Sequence, residues 1–360
     1  MNPDQDLGDI GEFGLIDRII KGLATSGSDL EGSDLESSGQ STDERILVGP
    51  GDDAAVLAIG AGRAAVTVDV LVEGRHFRRD WSSAQQVGAK AAAATLADVA
   101  AMGAAPVALV VGFGAPASLP VSWAVDCAAG IEAEAARAGA HVVGGDVTAS
   151  DAVLIAVTGI GDLQGRGAVL RSGAQVGDRV AICGRLGWSA AGLELLRRGL
   201  TGPTELVDDH RQPQPPYEAG VRAAFARATA MIDISDGLVA DARHIAQASN
   251  VRIDLSWSAL LAHVADGAEL LRDAASLLAA QPTATHHQPE VVVRDWVRDW
   301  VREWVLHGGE DHGLLACFSE AIPAGFTVIG SVGPPIQGAG VWVDEQPAQQ
   351  AGGHEHYRSS

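Results

Sequence analysis

The chain has 360 residues, of which 47% are apolar, and this is enough for two ordinary domains, each with its own core. Its formal net charge of −21 repels polyanions and argues against nucleic acid as the main partner. No apolar run approaches the ~18 residues of a membrane helix, and the acidic start of the chain does not resemble a signal peptide. We therefore expect a cytoplasmic protein with no membrane association.

The first part of the chain predicts short strands near a flexible insertion. Residues 24–44 are mostly Ser, Gly, Asp and Glu, which predicts a mobile insertion without chemistry. Apolar runs at residues 46–48 and 54–59 predict strands on either side of an acidic pair, and the run at residues 65–72 predicts a strand that contains Asp69.

An alanine-rich helix follows, which Ser82 or Ser83 can cap and which runs to about Met102. Lys90 and Asp98 lie about two turns apart on this helix, so both could face one site. Beyond it, the pattern predicts alternating strands and helices that end the first α/β unit, at residues 107–112, 122–138, 141–143 and 153–160.

The second half predicts a second α/β unit. Strands are expected at residues 179–183 and 230–234, and a helix at residues 238–249. The glycine-rich turn at residues 184–187 matches no complete phosphate-binding pattern, and we interpret it as a structural turn. A period-four repeat places Trp296, Trp300 and Trp304 on one helical face, which is typical of packing against a core.

Seven aspartates recur at the ends of short apolar runs or beside small residues. Any one of them alone is more typical of an Asp-Gly turn between strands. As a set they indicate Mg²⁺ and the phosphates it carries, because hard cations take oxygen ligands and glycine permits close approach. The seven are Asp52, Asp53, Asp69, Asp98, Asp146, Asp233 and Asp236.

Six motifs occur in one order between about residue 10 and residue 318: Gly11-Glu-Phe, Gly51-Asp-Asp-Ala-Ala, Gly144-Gly-Asp, Arg171-Ser-Gly-Ala, Ile232-Asp-Ile-Ser-Asp-Gly-Leu and His307-Gly-Gly-Glu-Asp. Together they resemble the thiamine-monophosphate kinase family, which belongs to a larger group of ATP-binding proteins that includes aminoimidazole ribonucleotide synthetase.

The resemblance implies an α/β (α+β) fold of two domains, aminoimidazole ribonucleotide synthetase-like. The N-terminal domain, residues 1–162, would carry a mixed sheet, bind ATP and Mg²⁺, and form the interface of a homodimer. The C-terminal domain, residues 163–360, would contribute to the substrate site. The implied activity is transfer of the ATP γ-phosphoryl group to thiamine monophosphate, giving thiamine diphosphate in the last step of its biosynthesis.

The resemblance also implies roles for individual residues. Several Mg²⁺ ions would be held by Asp53, Thr67, Asp69, Asp98, Asp146, Asp233 and Asp236, with Thr67 using its hydroxyl or its backbone. ATP would be contacted by Gly145, Asp146, Arg171 and Ser235, of which Asp146 and Arg171 would act in catalysis. Thiamine monophosphate would be contacted by His76, Glu310 and His354, and Lys90 is a further candidate for a phosphate contact.

The chemistry agrees with this set of residues. The acceptor oxygen belongs to a phosphate that is already ionised at neutral pH, so no general base is required. Several Mg²⁺ ions would supply the countercharge that brings two anions together. Alternative interpretations remain for single residues: Arg171 in a surface ion pair, and His76 as a histidine at the edge of the core.

Five positions depart from the family's pattern: Val68 stands where a hydroxyl is usual, Thr95 and Ala97 where Asn and Ser are common, His312 where a tyrosine is usual, and His354 where an aromatic ring is usual. The changes at Val68 and in the C-terminal tail leave open a non-catalytic protein that binds Mg²⁺ and nucleotide. Another ATP-dependent enzyme of the larger group is a further alternative, and a two-metal phosphoesterase is a more distant one.

Overall fold

The computed structural model describes residues 5–7, 9, 15, 18, 19, 45–48, 56–280, 290–335 and 338–348. The chain divides into two compact units: residues 1–99 with 104–167, and residues 100–103 with 168–360. Each contains a mixed sheet with helices, which confirms the predicted α/β class. The predicted insertion, Asp52, Asp53 and His354 lie outside the described residues.

Unit 1 is built on a four-stranded sheet. Its strands have the order β3-β6-β4-β5, in which only β4 and β5 pair parallel. A separate antiparallel pair, β1 and β2, precedes them. The bounds are β1 Ile46–Val48, β2 Val56–Leu57, β3 Ala64–Val72, β4 Ala105–Ala115, β5 His141–Ala149 and β6 Leu154–Asp162.

Two long helices belong to this part of the chain, α1 Ala84–Ala101 and α2 Val121–Arg137. A capping box starts α1: the Gln86 amide donates to Ser83 Oγ at 3.2 Å, and the Ser83 amide donates to Gln86 Oε1 at 3.0 Å. This confirms Ser83 as the predicted cap. The helix lies against β6 at Gly159, where an added Cβ would be 2.7 Å from the Thr95 side chain.

Unit 2 is built on a seven-stranded sheet of order β13-β12-β9-β11-β7-β10-β8. Only β12 and β9 pair parallel within it. The strands are β7 Arg179–Cys183, β8 Ala230–Asp233, β9 Arg252–Leu255, β10 Leu314–Phe318, β11 Thr327–Gly333, β12 Gly340–Val343 and β13 Gln346–Pro347.

Unit 2 also contains seven described α-helices: α3 Trp188–Arg197, α4 Thr204–Arg211, α5 Tyr217–Phe225, α6 Leu238–Ser249, α7 Trp257–His263, α8 Ala268–Ala280 and α9 Glu290–His307. The tryptophan repeat lies on α9, where Trp304 is buried and its ring meets Trp300 edge-on at 5.4 Å. Core packing is therefore confirmed for Trp304, while the Trp296 side chain lies outside the described part. Among the described helices, none combines the length and apolarity that crossing a membrane requires.

Candidate active site

Strand β3 presents two of the predicted metal ligands on one face of the unit 1 sheet, and one of them contacts a third ligand on α1. Side chains alternate along a strand, so Thr67 and Asp69 project to the same side. Both are half-buried, and Thr67 Oγ1 donates a hydrogen bond of 2.8 Å to Asp98 Oδ2 on α1. Thr67, Asp69 and Asp98 therefore face the same side of the sheet, and each offers oxygen.

The opposite face of β3 explains one departure from the family's pattern. Val68 lies between Thr67 and Asp69 in sequence, so its side chain projects away from them. It is 59% exposed. The hydroxyl that is missing at Val68 would not have reached the face that carries Thr67 and Asp69, so its loss removes no ligand there.

Asp146 lies within β5, which continues through Gly144-Gly145 to Ala149 instead of ending before the glycines. An added Cβ at Gly145 would lie 2.2 Å from the Val111 carbonyl oxygen, so only glycine fits. Asp146 pairs with Gly112 and is exposed. Among the described residues, the structure does not gather it into one three-residue cluster with Asp69 and Asp98.

The loop after β3 fixes the ring of His76. The Val72 backbone N–H donates to His76 Nδ1 at 3.0 Å, so this nitrogen carries no proton. In the neutral ring the proton is then on Nε2, which is the donor a phosphate oxygen would need. His76 is half-buried, and the other candidate phosphate contact, Lys90, is 4% exposed.

In unit 2, backbone hydrogen bonds join the motif at residues 232–238 to the motif at residues 307–311. The Glu310 N–H donates to the Ser235 carbonyl oxygen at 2.9 Å, and the His312 N–H donates to that of Ile234 at 2.9 Å. The Ile234 N–H in turn donates to Gly313 at 2.8 Å. The predicted ATP contact Ser235 and the predicted substrate contact Glu310 are thereby neighbours, beyond the end of the β8–β10 ladder.

Buried ionisable side chains collect around these two motifs. His312 Nδ1 lies 3.2 Å from Asp233 Oδ2, and both residues are buried. Such a concentration is typical of functional sites. The group comprises Asp209, His210, Asp233, Asp241, Asp311 and His312. Sequence analysis missed Asp209 and His210, because nothing in the α4 sequence indicates which residues it packs against.

Asp311 caps helix α3. Its carboxylate accepts the Gly187 N–H at 2.6 Å and the Ser189 N–H at 2.9 Å. These amides begin α3, so the glycine-rich turn serves an internal carboxylate and supports the structural interpretation of that turn. Burial and then the nearby Asp209 raise the pKa of Asp311 to about 8, although the two amides act in the opposite direction.

Asp241 binds the loop that contains Ser235 and Asp236. Its Oδ2 accepts the N–H groups of Ser235, Asp236 and Gly237 at 3.0 to 3.1 Å. Burial, followed by Asp233 and Asp236, raises the pKa of Asp241 to about 8. Ligand atoms of Asp236, Asp241 and His244 lie within 4.8 Å of one another, and no other such trio occurs in the described part. Acidic and histidine residues three apart on a helix are the only sequence signal for Asp241 and His244.

The backbone of Arg171 is hydrogen-bonded to Ser249, the last residue of α6. Ser249 Oγ donates to the Arg171 carbonyl oxygen at 2.9 Å and accepts the N–H groups of Gly173 and Ala174, each at 3.1 Å. Ser235 precedes α6, whose 12 residues span about 18 Å at 1.5 Å per residue. The structure therefore does not bring the backbones of Arg171 and Ser235 together.

Comparison with known proteins first defines the class. The model for "AIR synthase related protein, N-terminal domain" matches residues 51–163, and that for the C-terminal domain matches residues 175–305. The fold and the motifs thus define an AIR synthase related protein.

Relatives within this class identify the family. The thiamine-monophosphate kinase of Mycobacterium tuberculosis is 46% identical over 90% of this chain and 85% of its own length. The crystal structure of the thiamine-monophosphate kinase from Stenotrophomonas maltophilia matches this chain with a TM-score of 0.68 and 28% identity. The match covers 94% of this chain and 98% of the other. AaThiL complexed with AMPPCP and TMP matches with a TM-score of 0.68 and 30% identity, over 97% and 98%. The chain belongs to the thiamine-monophosphate kinase family.

Proposed function

We propose that this protein is a transferase that moves the γ-phosphoryl group of ATP to thiamine monophosphate, giving thiamine diphosphate in the last step of its biosynthesis. The observation that carries the proposal is the backbone hydrogen bond between Glu310 and Ser235, which joins the substrate motif to the nucleotide motif. A relative of 30% identity binds AMPPCP and TMP together, which supports both substrates.

The reaction needs positioning more than covalent chemistry. An oxygen of the thiamine monophosphate phosphate forms a bond to the γ-phosphorus, while the bond from that phosphorus to the β–γ bridging oxygen breaks and ADP leaves. The attacking oxygen is already ionised, so the protein needs no general base. What it must supply is an in-line arrangement and compensation of negative charge.

Several Mg²⁺ ions fit the side chains available. Thr67, Asp69 and Asp98 present only oxygen atoms, which suits a hard cation. Bound Mg²⁺ supplies the countercharge that lets two phosphate groups approach. We assign the ligands as Asp53, Thr67, Asp69, Asp98, Asp146, Asp233 and Asp236. Of these, Asp53 lies outside the described residues.

The remaining assigned residues contact the two substrates. ATP is contacted by Gly145, Asp146, Arg171 and Ser235, and thiamine monophosphate by His76, Glu310 and His354. The Nε2 proton of His76 suits a phosphate oxygen. Ser235 precedes the start of α6, and the Arg171 backbone is bound at the end of this helix, about 18 Å away. These two residues therefore contact different parts of the nucleotide.

The protein acts in the cytoplasm as a homodimer formed through its N-terminal domain, residues 1–162, while residues 163–360 contribute to the substrate site. Support for the dimer comes from the outer face of β3, where Val66, Val68 and Val70 are 66%, 59% and 44% exposed. Apolar side chains in such a row are typical of a surface that another chain covers, and the occupant we assign is a second copy of this chain.

The test is product formation. The purified protein is incubated with ATP and thiamine monophosphate, with Mg²⁺ or with a chelator, and thiamine phosphates are separated chromatographically. Asp146→Ala removes a proposed ligand, and Asp151→Ala is the matched control because Asp151 is an exposed residue in a nearby bend.

We expect thiamine diphosphate from the wild type and Asp151→Ala in the presence of Mg²⁺, and almost none from Asp146→Ala or with chelator. Nucleotide binding without product would overturn the kinase proposal in favour of a binding protein. Release of inorganic phosphate from simple esters without ATP would instead indicate a phosphoesterase.

A further inference from the structure

We propose that His210 is a positioning residue that holds the Glu310 carboxylate in the orientation that contacts the substrate. The inference rests on the proposed function, because Glu310 is there assigned to thiamine monophosphate. His210 lies on α4, outside every sequence motif described above. It does not contact the reacting groups; it acts through Glu310.

The geometry places His210 next to Ser189 and Glu310. Its side chain is 7% exposed, and its Nδ1 lies 3.0 Å from Ser189 Oγ and 3.5 Å from Glu310 Oε2. A histidine buried to this degree needs polar partners, since an unpartnered buried polar group costs about 1 to 3 kcal/mol. The Ser189 hydroxyl and the Glu310 carboxylate both lie at Nδ1 and meet the need of that nitrogen.

Ser189 is itself fixed, so it can orient the imidazole. Its N–H donates to Asp311 Oδ1 at 2.9 Å in the first turn of α3. Helices α3 and α4 approach closely at Gly192, where an added Cβ would lie 2.1 Å from the Leu206 carbonyl oxygen and 3.0 Å from His210 Cβ. This contact sets the distance of His210 from α3.

The backbone hydrogen bond to Ser235 sets the start of the Glu310 side chain but does not set the orientation of its carboxylate. The Glu310 φ of 64° and this hydrogen bond fix where the side chain begins. The side chain beyond is 34% exposed and has several rotatable bonds. An imidazole on its buried side restricts the carboxylate, and restricting a contact group before binding increases substrate affinity.

The experiment is a double-mutant cycle with a rescue variant. His210→Ala removes the ring, whereas His210→Asn keeps a hydrogen-bonding group at the position of Nδ1. Both are made alone, and His210→Ala is also combined with Glu310→Gln. His263→Ala is the matched control, because His263 is a half-buried histidine of unit 2 that hydrogen-bonds the Gly184 carbonyl oxygen at 2.8 Å and does not pair with Glu310 in any described contact.

Two quantities are measured: the KM for each substrate, and the calorimetric Kd of thiamine monophosphate with AMPPCP present. We expect His210→Ala to raise the KM and Kd of thiamine monophosphate about tenfold, which corresponds to about 1.4 kcal/mol. The KM of ATP should stay within about twofold of wild type. His210→Asn should recover most of the loss, and His210→Ala should add little to Glu310→Gln.

An equal effect of His210→Ala with and without Glu310→Gln would overturn the inference, as would equal rises in both KM values or the same loss in His263→Ala. Failure of the proposed function looks different. The wild type would then bind thiamine monophosphate without forming product. The double-mutant cycle measured by Kd would still show whether His210 and Glu310 are coupled. If the wild type binds no thiamine monophosphate, both the function and this inference are wrong.

Discussion

Two groups of acidic residues, one in each unit, differ in burial and in what their oxygens contact. In unit 1 the carboxylates of Asp69 and Asp98 are half-buried and that of Asp146 is exposed. In unit 2, Asp241 and Asp311 are 1% and 2% exposed, and their oxygens accept backbone N–H groups of loops and helix starts.

Burial distinguishes carboxylates that can bind a cation from carboxylates that support the backbone, a distinction that a sequence motif does not make. A partly exposed carboxylate can present its oxygens to a cation, whereas a buried carboxylate that already accepts two or three amides holds the backbone in place. We therefore expect Asp69, Asp98 and Asp146 of unit 1 to determine turnover, and Asp241 and Asp311 of unit 2 to determine stability and loop geometry.

The largest effect should come from Asp69→Asn. The neutral amide keeps the size of the side chain but weakens a proposed metal ligand, so kcat should fall about a thousandfold, equivalent to about 4 kcal/mol. The free energy of unfolding should change by less than about 0.5 kcal/mol. Steady-state kinetics and urea denaturation measure the two, with Asp151→Asn as control. A large loss of stability would contradict the division between the units.

Asp311→Ala should show the reverse pattern. Removing the carboxylate leaves the Gly187 and Ser189 amides without an acceptor, which should cost about 3 kcal/mol in the free energy of unfolding. Urea denaturation provides the measurement, and Asp208→Ala, an exposed residue of the same unit, should cost little. An unchanged midpoint for Asp311→Ala would show that the cap does not support α3.

Val68→Glu tests what covers the outer face of unit 1. A buried charge at a self-complementary interface costs several kcal/mol, so the variant should be monomeric at concentrations where the wild type is a dimer. Light scattering after size-exclusion chromatography measures the mass. Val328→Glu, 41% exposed on β11, is the matched change in unit 2 and should leave the dimer intact. A wild type that is already monomeric refutes the dimer.

The pH dependence of stability should reflect Asp311. Its pKa is raised from 3.8 to about 8, so the folded protein keeps a proton that the unfolded chain releases. The free energy of unfolding should therefore decrease as pH rises from about 4 to about 8. Asp311→Asn removes this contribution and should lower the slope in metal-free buffer without abolishing it, because the pKa of Asp241 is also raised to about 8. Asp208→Asn should retain the full slope. Identical slopes in all three proteins would exclude Asp311 as the cause.

The smallest effect is expected for Ser249→Ala. The hydroxyl bridges the Arg171 carbonyl and two loop amides near the surface, so its loss should cost about 1 kcal/mol. Because Arg171 is a proposed ATP contact, the KM for ATP should also rise. Ser256→Ala removes the cap of α7 at a similar cost in stability and should leave that KM unchanged. A KM for ATP equal to that of the wild type would show that Ser249 does not support nucleotide binding.

Local patterns predicted much of the secondary structure. The strands at β3, β7 and β8, the helix α6 and the Ser83 cap follow from alternation, helical period and capping chemistry, which act over a few residues. The strand β9 and the helices α4, α5, α7 and α8 carried weaker signals and were missed.

By itself, the sequence determined the class of fold, the family and the set of acidic residues, because motif order and local periodicity are properties of the chain. Only the tertiary structure decided that Thr67 meets Asp98, that Val68 faces away from them, and that His210 lies against Glu310. These contacts join residues that are distant in sequence or depend on strand orientation. Their distances depend on packing between elements, which no local pattern specifies.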